Sequence, residues 1–498
     1  MTRDAAYHLG AAFVCVALAG CALAPSQRYA TGEEARCSDV FQRVDRAVEE
    51  AGVGDGMAAR VAGFPYLRVD RFLASYAQDD LSEAQFDQWM GRMLTLGREG
   101  HQVELANLPA ATRAELGGAL RELGEHASPE AALDACGTRL AAADRAQPER
   151  RAALRDAATV PDDYVTWQRV VGLYWLTRIP FANGVRKYQR EVLDTFALPL
   201  EALPVTGQLL AYAPPRRATP GDMATLLARA SANPLGIPEP RGDDLEALFR
   251  AYAPGFEVDT RSHADLPGEL GWGEDGLARV VSRRPVVYRR VSHARYEGRA
   301  LLQLNYAIWF PERPLEPGWD ILGGHLDAVL WRVTLASDGE PWVFDTMHHC
   351  GCYHQFITTP RAMLKPQPDT LDETAFVPQA LPRVGPGTRL TLRLAAGTHY
   401  LERVVPGAAP PETAIEYVFA ADDALRSLSL QGGARRSVFR PDGIVPGSER
   451  GERWLFWPMG VPEPGAMRQW GRHATAFVGR RHFDDPALLE RYFSFREP

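Results

Sequence analysis

The chain has 498 residues, 46% of them hydrophobic, with 44 glycines, 38 prolines and a formal net charge of −8. That length and apolar content suffice for a sizeable core and point to two or three domains. The charge is spread along the chain, and without a basic stripe a nucleic-acid partner is excluded as a class.

The first element in chain order is an export signal. One cation, Arg3, precedes an apolar run from Leu9 to Ala19. The run is too short to span a bilayer and has the size of a secretory core segment. Asp4 departs from the pattern by cancelling the leading positive charge. The run ends in Leu18-Ala19-Gly20-Cys21, which resembles the lipobox of bacterial lipoproteins. The resemblance implies a signal peptide over 1–20, cleavage before Cys21, diacylglycerol on its thiol, acylation (palmitate) of its amine, and a lipid-anchored tether over 21–31. Ala22, where some lipoproteins carry a retaining aspartate, implies the outer membrane, facing the periplasm. The membrane, reached through this lipid, is then the one partner implied. A protein or envelope-polymer partner has no signature. The mature chain resembles uncharacterised bacterial lipoproteins, which implies no activity.

Of six cysteines, Cys15 leaves with the signal and Cys21 carries lipid. An exported compartment permits disulfides. Cys37 and Cys136 both fall in the helical N-terminal part and are expected to pair. Cys350 and Cys352 are left to pair with each other, bind metal or do chemistry.

Residues 32–195 read as a helical domain. Val40, Phe41, Val44 and Val48 recur at helical spacing, as do Phe86, Trp89, Met90 and Met93 behind an N-cap at Ser82. The segment from Trp167 to Arg190 is aromatic but interrupted by Arg169, Arg178 and Pro180. It is expected to be a core helix, with a membrane-surface helix as the alternative. Prolines cluster over 196–279, which reads as a connecting region with helices.

From about 280 the period changes to two. Leu390, Leu392 and Leu394 alternate with Arg389, Thr391 and Arg393, predicting a half-buried strand. Residues 300–310 are apolar nearly throughout and predict a strand covered on both faces. Further strands are expected at 286–296, 329–335, 342–347, 414–419, 454–457 and 473–478, with a final helix capped by Asp485-Pro486. The fold class is therefore α+β, with a β-rich α+β domain over 280–498.

One hairpin has a definite register. Asp338-Gly339 suits the centre of a type I′ turn. That turn sets His348 opposite Val329, Cys350 opposite Asp327 and Cys352 opposite His325. The open end thus gathers a stretch, His348-His349-Cys350-Gly351-Cys352-Tyr353-His354, that is dense in metal ligands and thiols. Four groups on one straight strand stretch over about 20 Å and cannot meet at one ion. Two of them can meet, with His325 or Asp327 from the neighbouring strand or through a bend at Gly351, and Cys350 and Cys352 with His325, and His348 or His354 as a further ligand, would suit zinc or copper. The alternatives are a thiol nucleophile with a histidine base, a strained redox disulfide, or a structural corner. Arg472, His473, Arg480 and Arg481 form a weaker candidate, for an anion. No glycine-rich phosphate loop, serine-hydrolase elbow or zincin motif occurs. Two functions stay open. One is a lipid-anchored envelope protein with a binding or assembly role. The other is a metal-dependent or thiol hydrolase of cell-envelope material, with its site at the end of the 325–354 hairpin.

Overall fold

The computed structural model describes residues 29, 32–124, 128–215, 221–318 and 320–496. The expected signal peptide, the lipidation site Cys21 and all of the tether except Tyr29 lie outside them. The architecture is α+β, a helical N-terminal region followed by a strand-rich one, as expected. Among the described residues no helix is long and apolar enough to cross a membrane.

The N-terminal region contains α1 (Gly32–Ala51), α2 (Arg71–Ala74), α3 (Glu83–Asn107), α4 (Ala110–Glu122), α5 (Pro129–Arg145), α6 (Pro148–Ala157), α7 (Thr166–Val171) and α8 (Tyr174–Ala197). The expected apolar faces of α1 and α3 are buried. Ser82 caps α3 in a reciprocal box with Gln85, satisfying donors that a first helical turn leaves open. Helix α3 lies on a β-hairpin, Ala59–Val61 with Phe64–Val69, that the sequence did not announce. The approach is close: a Cβ on Gly97 would stand 2.2 Å from the Tyr66 carbonyl oxygen. The expected Cys37–Cys136 disulfide ties α1 to α5 across 99 residues.

The stretch 196–279 carries helices Met223–Ala230 and Gly242–Ala251 and also strands Gln208–Ala213 and Gly255–Thr260. These strands join Leu390–Leu394, Leu401–Pro406 and Ile415–Glu416 in a five-stranded sheet. Its apolar side meets a seven-stranded sheet, where Phe256, Val258 and Leu392 share a core with Leu304, Tyr306 and Trp331. The strand Leu390–Leu394 is buried at all five residues and not on one face alone, because Arg393 is also covered and turns toward Glu402.

The larger sheet runs in the order Gln379–Ala380, Gln355–Thr358, Pro341–His348, Gly324–Leu335, Arg299–Arg313, Val286–Tyr296, Val418–Ala421. Strand Arg299–Arg313 is buried from Leu301 to Phe310, covered on both faces as expected. The hairpin register holds, with His348 opposite Val329. The turn does not hold. A type I′ turn needs positive φ at both central residues, and only Gly339 has it, at 82°. The Gly339 N–H donates to the Ala336 carbonyl, which matches a type I turn followed by a left-handed glycine.

Three other expectations fail. Residues 454–457 form a helical turn (Arg453–Phe456) running into a 3₁₀ turn (Trp457–Met459), because a short apolar run does not distinguish strand from helix. Residues 473–478 are irregular and touch the chain through an isolated bridge, Ala474 with His482. The last helix starts at Leu488, after a turn in which Asp485 accepts from the Ala487 N–H.

The segment 167–190 is not a core helix. Helix α7 has no buried residue, and α8 buries only Ala182, Val192 and Phe196. Helix α8 also runs through Pro180 instead of ending there. Trp167 and Trp175 are 63% and 69% exposed. The cations take the inner side. Arg169 donates to the Met459 and Gly479 carbonyls and lies over the rings of Tyr164 and Tyr174. Arg178 turns toward Asp372 at 3.6 Å. The apolar stripe is left facing outward.

Candidate functional site

The strand Pro341–His348 ends where the candidate ligands begin. The His348 N–H donates to the Cys352 carbonyl at 3.0 Å, and the Gly351 N–H donates to the His348 carbonyl at 2.8 Å. Gly351 stands at φ 91° and Tyr353 at 63°. The chain therefore folds back in a tight turn, and Cys350 and Cys352 never pair with Asp327 and His325. A Cβ on Gly351 would lie 2.3 Å from the Ala474 carbonyl oxygen, so only glycine fits the turn against its neighbour.

Of the six candidate ligands Asp327 and His348 meet each other, and the others do not join them. The His325 Nε2 lies 2.6 Å from the Ala278 carbonyl, and as a donor it satisfies that oxygen. Asp327 is fully buried and accepts from His348 Nδ1 (3.2 Å), His399 Nδ1 (2.8 Å) and Arg450 (3.3 Å). His354 Nε2 meets Asp345 at 2.9 Å, and Arg332 closes on the other side of that carboxylate. Both thiols are free, with the Cys352 N–H 3.4 Å from the Cys350 sulfur. Among the described residues no group of three or more His, Cys, Asp or Glu side chains is gathered to hold a metal. The candidate zinc or copper ligands are thus not gathered in one place, because the strand that was to carry them stops at His348.

The anion candidates are likewise committed elsewhere. Arg472 pairs with Asp163 and Arg480 with Asp162. Arg481 donates to the Thr374 and Thr475 carbonyls, and His473 Nε2 faces His349 Nδ1 at 3.4 Å.

What the turn does build is one wall of a cleft of about 600 Å³ between α8 and the sheet ends. Pro180, Phe181 and Tyr188 from α8 line it together with Phe376, Phe456 and Phe477. Cys352, Tyr353, His354, Glu373, Glu452 and Arg481 supply the polar part. Tyr188, Tyr353 and Tyr400 form an aromatic knot with ring centroids 4.6–5.7 Å apart. His348 meets the Tyr353 and Tyr400 rings edge-on, and Arg313 donates to both hydroxyls.

The electrostatics follow from burial. Burial pushes the Glu452 carboxyl up to about 7, against the pull of Arg450, Arg313 and Arg468. Its carboxyl has no hydrogen-bond partner among the described residues, so it can hold or release a proton near neutrality. Burial holds His354 down to about 4, so its ring is neutral. Its Nδ1 is buried without a hydrogen-bond partner among the described residues, while Asp345 orients the ring from Nε2. The Cys350 thiol and burial together raise the Cys352 thiol well above its ordinary value, so it is a poor thiolate. Burial alone would lower His399, but the adjoining carboxylates of Asp265 and Asp327 reverse this and raise it. Three non-glycine residues of this neighbourhood, Leu326, Tyr353 and His399, hold positive φ. Each such conformation costs on the order of 1–3 kcal/mol and persists where its surroundings over-determine it, which is characteristic of ligand sites.

No family model, no curated protein and no solved structure matches the chain. The site therefore rests on its own geometry. Tyr188, Glu452, Arg313 and Tyr400 come from distant stretches without a shared motif. Asp345 alone had a signal, since the hairpin register sets it opposite Arg332.

Proposed function

We propose that the protein is a lipid-anchored envelope protein, held at a membrane through Cys21 and facing the periplasm, that binds an amphiphile with an apolar or aromatic body in the cleft beneath α8. The cleft carries this reading. Its volume, its aromatic walls and its few buried polar groups have the composition of a small-molecule site. The Cys/His turn is then the structural floor of the cleft. The lipobox resemblance supports the anchor, and the Cys37–Cys136 disulfide is in keeping with an oxidising compartment.

The test is binding of N-phenyl-1-naphthylamine, an apolar fluorophore. Gly184 lines the cleft, and a Cβ there meets no atom within 4 Å, so Gly184→Trp introduces a bulky side chain at the cleft without a clash at its Cβ. Wild type binds the probe saturably, and the variant binds at least about tenfold more weakly through lost pocket volume. Equal affinity in the two would remove the cleft as the ligand site. A thiol hydrolase is the second reading, because Cys352 and His354 line the same cleft. Turnover of an activated ester that is abolished by Cys352→Ser supports that reading, and no turnover above buffer removes it.

A further inference from the structure

We propose that α7, the first half of α8 and the adjoining turn Arg453–Phe456 form a face that lies on the lipid bilayer, so that the cleft opens toward the membrane and takes its ligand from there. The inference rests on the proposed lipid anchor and amphiphile cleft.

Four observations carry it. The first is the outward stripe itself. Trp167, Val170 and Val171 on α7 and Trp175, Leu176 and Ile179 on α8 follow helical spacing within each helix and are all exposed, and Trp454 (75%) and Leu455 join them from the neighbouring turn. Among the described residues these three are the tryptophans with large exposure. The pieces adjoin, since Phe181 meets Phe456 at 5.0 Å and the Val165 N–H donates to the Gly460 carbonyl. Tryptophan is the side chain that settles at a membrane–water interface.

The second is charge. Between Asp163 and Glu191 the sequence has no acid, yet it has Arg169, Arg178, Arg186, Lys187 and Arg190, in a chain of net charge −8. Arg169 and Arg178 are turned inward, while Arg186, Lys187 and Arg190 remain exposed on the continuation of α8. Cations beside an apolar stripe suit anionic headgroups, at about 1 kcal/mol each.

The third is continuity. Leu455 belongs to the exposed face and also lines the cleft, and Pro180 and Phe181 follow Ile179 directly into it. An apolar body can pass from this face into the cleft without crossing water.

The fourth is reach. The chain outside the structure ends at Tyr29, so about eight residues separate it from Cys21, an extended span of roughly 25–30 Å. A lipid on Cys21 holds the molecule within one protein radius of the bilayer, where a face of this kind has a surface to meet.

The experiment uses the full chain, reconstituted through its anchor into phosphatidylethanolamine vesicles containing phosphatidylglycerol brominated on the acyl chains. The expected result is quenching of tryptophan fluorescence in wild type, lost in the triple variant Trp167→Ser/Trp175→Ser/Trp454→Ser. The three side chains are solvent-facing, and an unchanged melting temperature verifies the fold of the variant. Equal quenching in the two proteins, or none in wild type, overturns the proposal. A dimer that dissolves in the triple variant, without quenching in wild type, assigns the face to a second copy and also overturns it. The mass of the N-terminal peptide reads the anchor separately. If Cys21 proves unlipidated, flotation of the same two proteins with added vesicles decides the face. Partitioning weakened roughly tenfold per tryptophan withdrawn supports it, and equal flotation ends it.

Discussion

Glu452 stands in the cleft with its carboxyl raised to about 7 by burial. Between the ordinary glutamate value and 7 the folded chain binds more protons than the unfolded one at this site. Stability contributed here therefore falls as pH rises through that window. Glu452→Gln removes the dependence. The variant is expected to gain on the order of 2 kcal/mol over wild type at about pH 8 and nothing at about pH 4, by urea denaturation. A difference that does not change with pH would mean that the carboxyl is not held neutral. No sequence signal marked Glu452, because its raised carboxyl comes from burial in the folded chain and not from its sequence neighbours. Asp327 was legible in part. It was drawn into the candidate set by its place on the hairpin, but its partners His399 and Arg450 come from loops that no periodicity places.

At the scale of elements, legibility followed the strength of the local pattern. The face of α1, the cap at Ser82 and the strand Val286–Tyr296 came directly from spacing and turn chemistry. The hairpin register survived a wrong turn type, since Gly339 sets the same alignment with one left-handed residue. The pattern failed at His348. Gly351 offered a bend there, but a lone glycine does not say that a strand must stop, and Tyr353 gave no sign that it would also turn left-handed. It failed more completely on α7 and α8, where hydrophobic spacing was present but pointed away from the body. Disulfide linkage is the element-scale term that can be measured directly. The Cys37–Cys136 bond closes a 99-residue separation between α1 and α5. Its loss in Cys37→Ser is expected to cost roughly 3–5 kcal/mol by the loop-closure account. Denaturant melts of wild type under oxidising and reducing conditions should bracket the same difference. An unchanged midpoint would show that helix packing alone holds α1.

Across the whole molecule, polar contacts join the helical region to the sheets. Arg426 pairs with Asp55, Arg71 with Asp484, and Arg295 with Asp79. His293 lies at the same seam, stacked on Phe72 and donating to the Pro238 carbonyl. Burial and then Arg92 hold it down to about 4. The unfolded chain takes up this proton near the ordinary histidine value, so between there and 4 the unfolded state binds more protons. Stability at this site falls as pH falls. The cost of His293→Gln is therefore expected to shrink as pH is lowered from about 7 to about 4.5, where wild type carries a penalty that the amide lacks. A cost that is constant with pH would contradict a neutral ring at this seam.

The Cys37–Cys136 bond also fixes an order of events. The two cysteines are consecutive in the chain after Cys21. If Cys21 is acylated, its sulfur is no longer a competitor. As the polypeptide emerges from its N-terminus, Cys136 meets Cys37 long before Cys350 and Cys352 appear. Correct pairing then needs no reshuffling, and the two late thiols arrive with no open partner upstream. A chain released all at once, as on refolding from denaturant, lacks that schedule and has four thiols competing together.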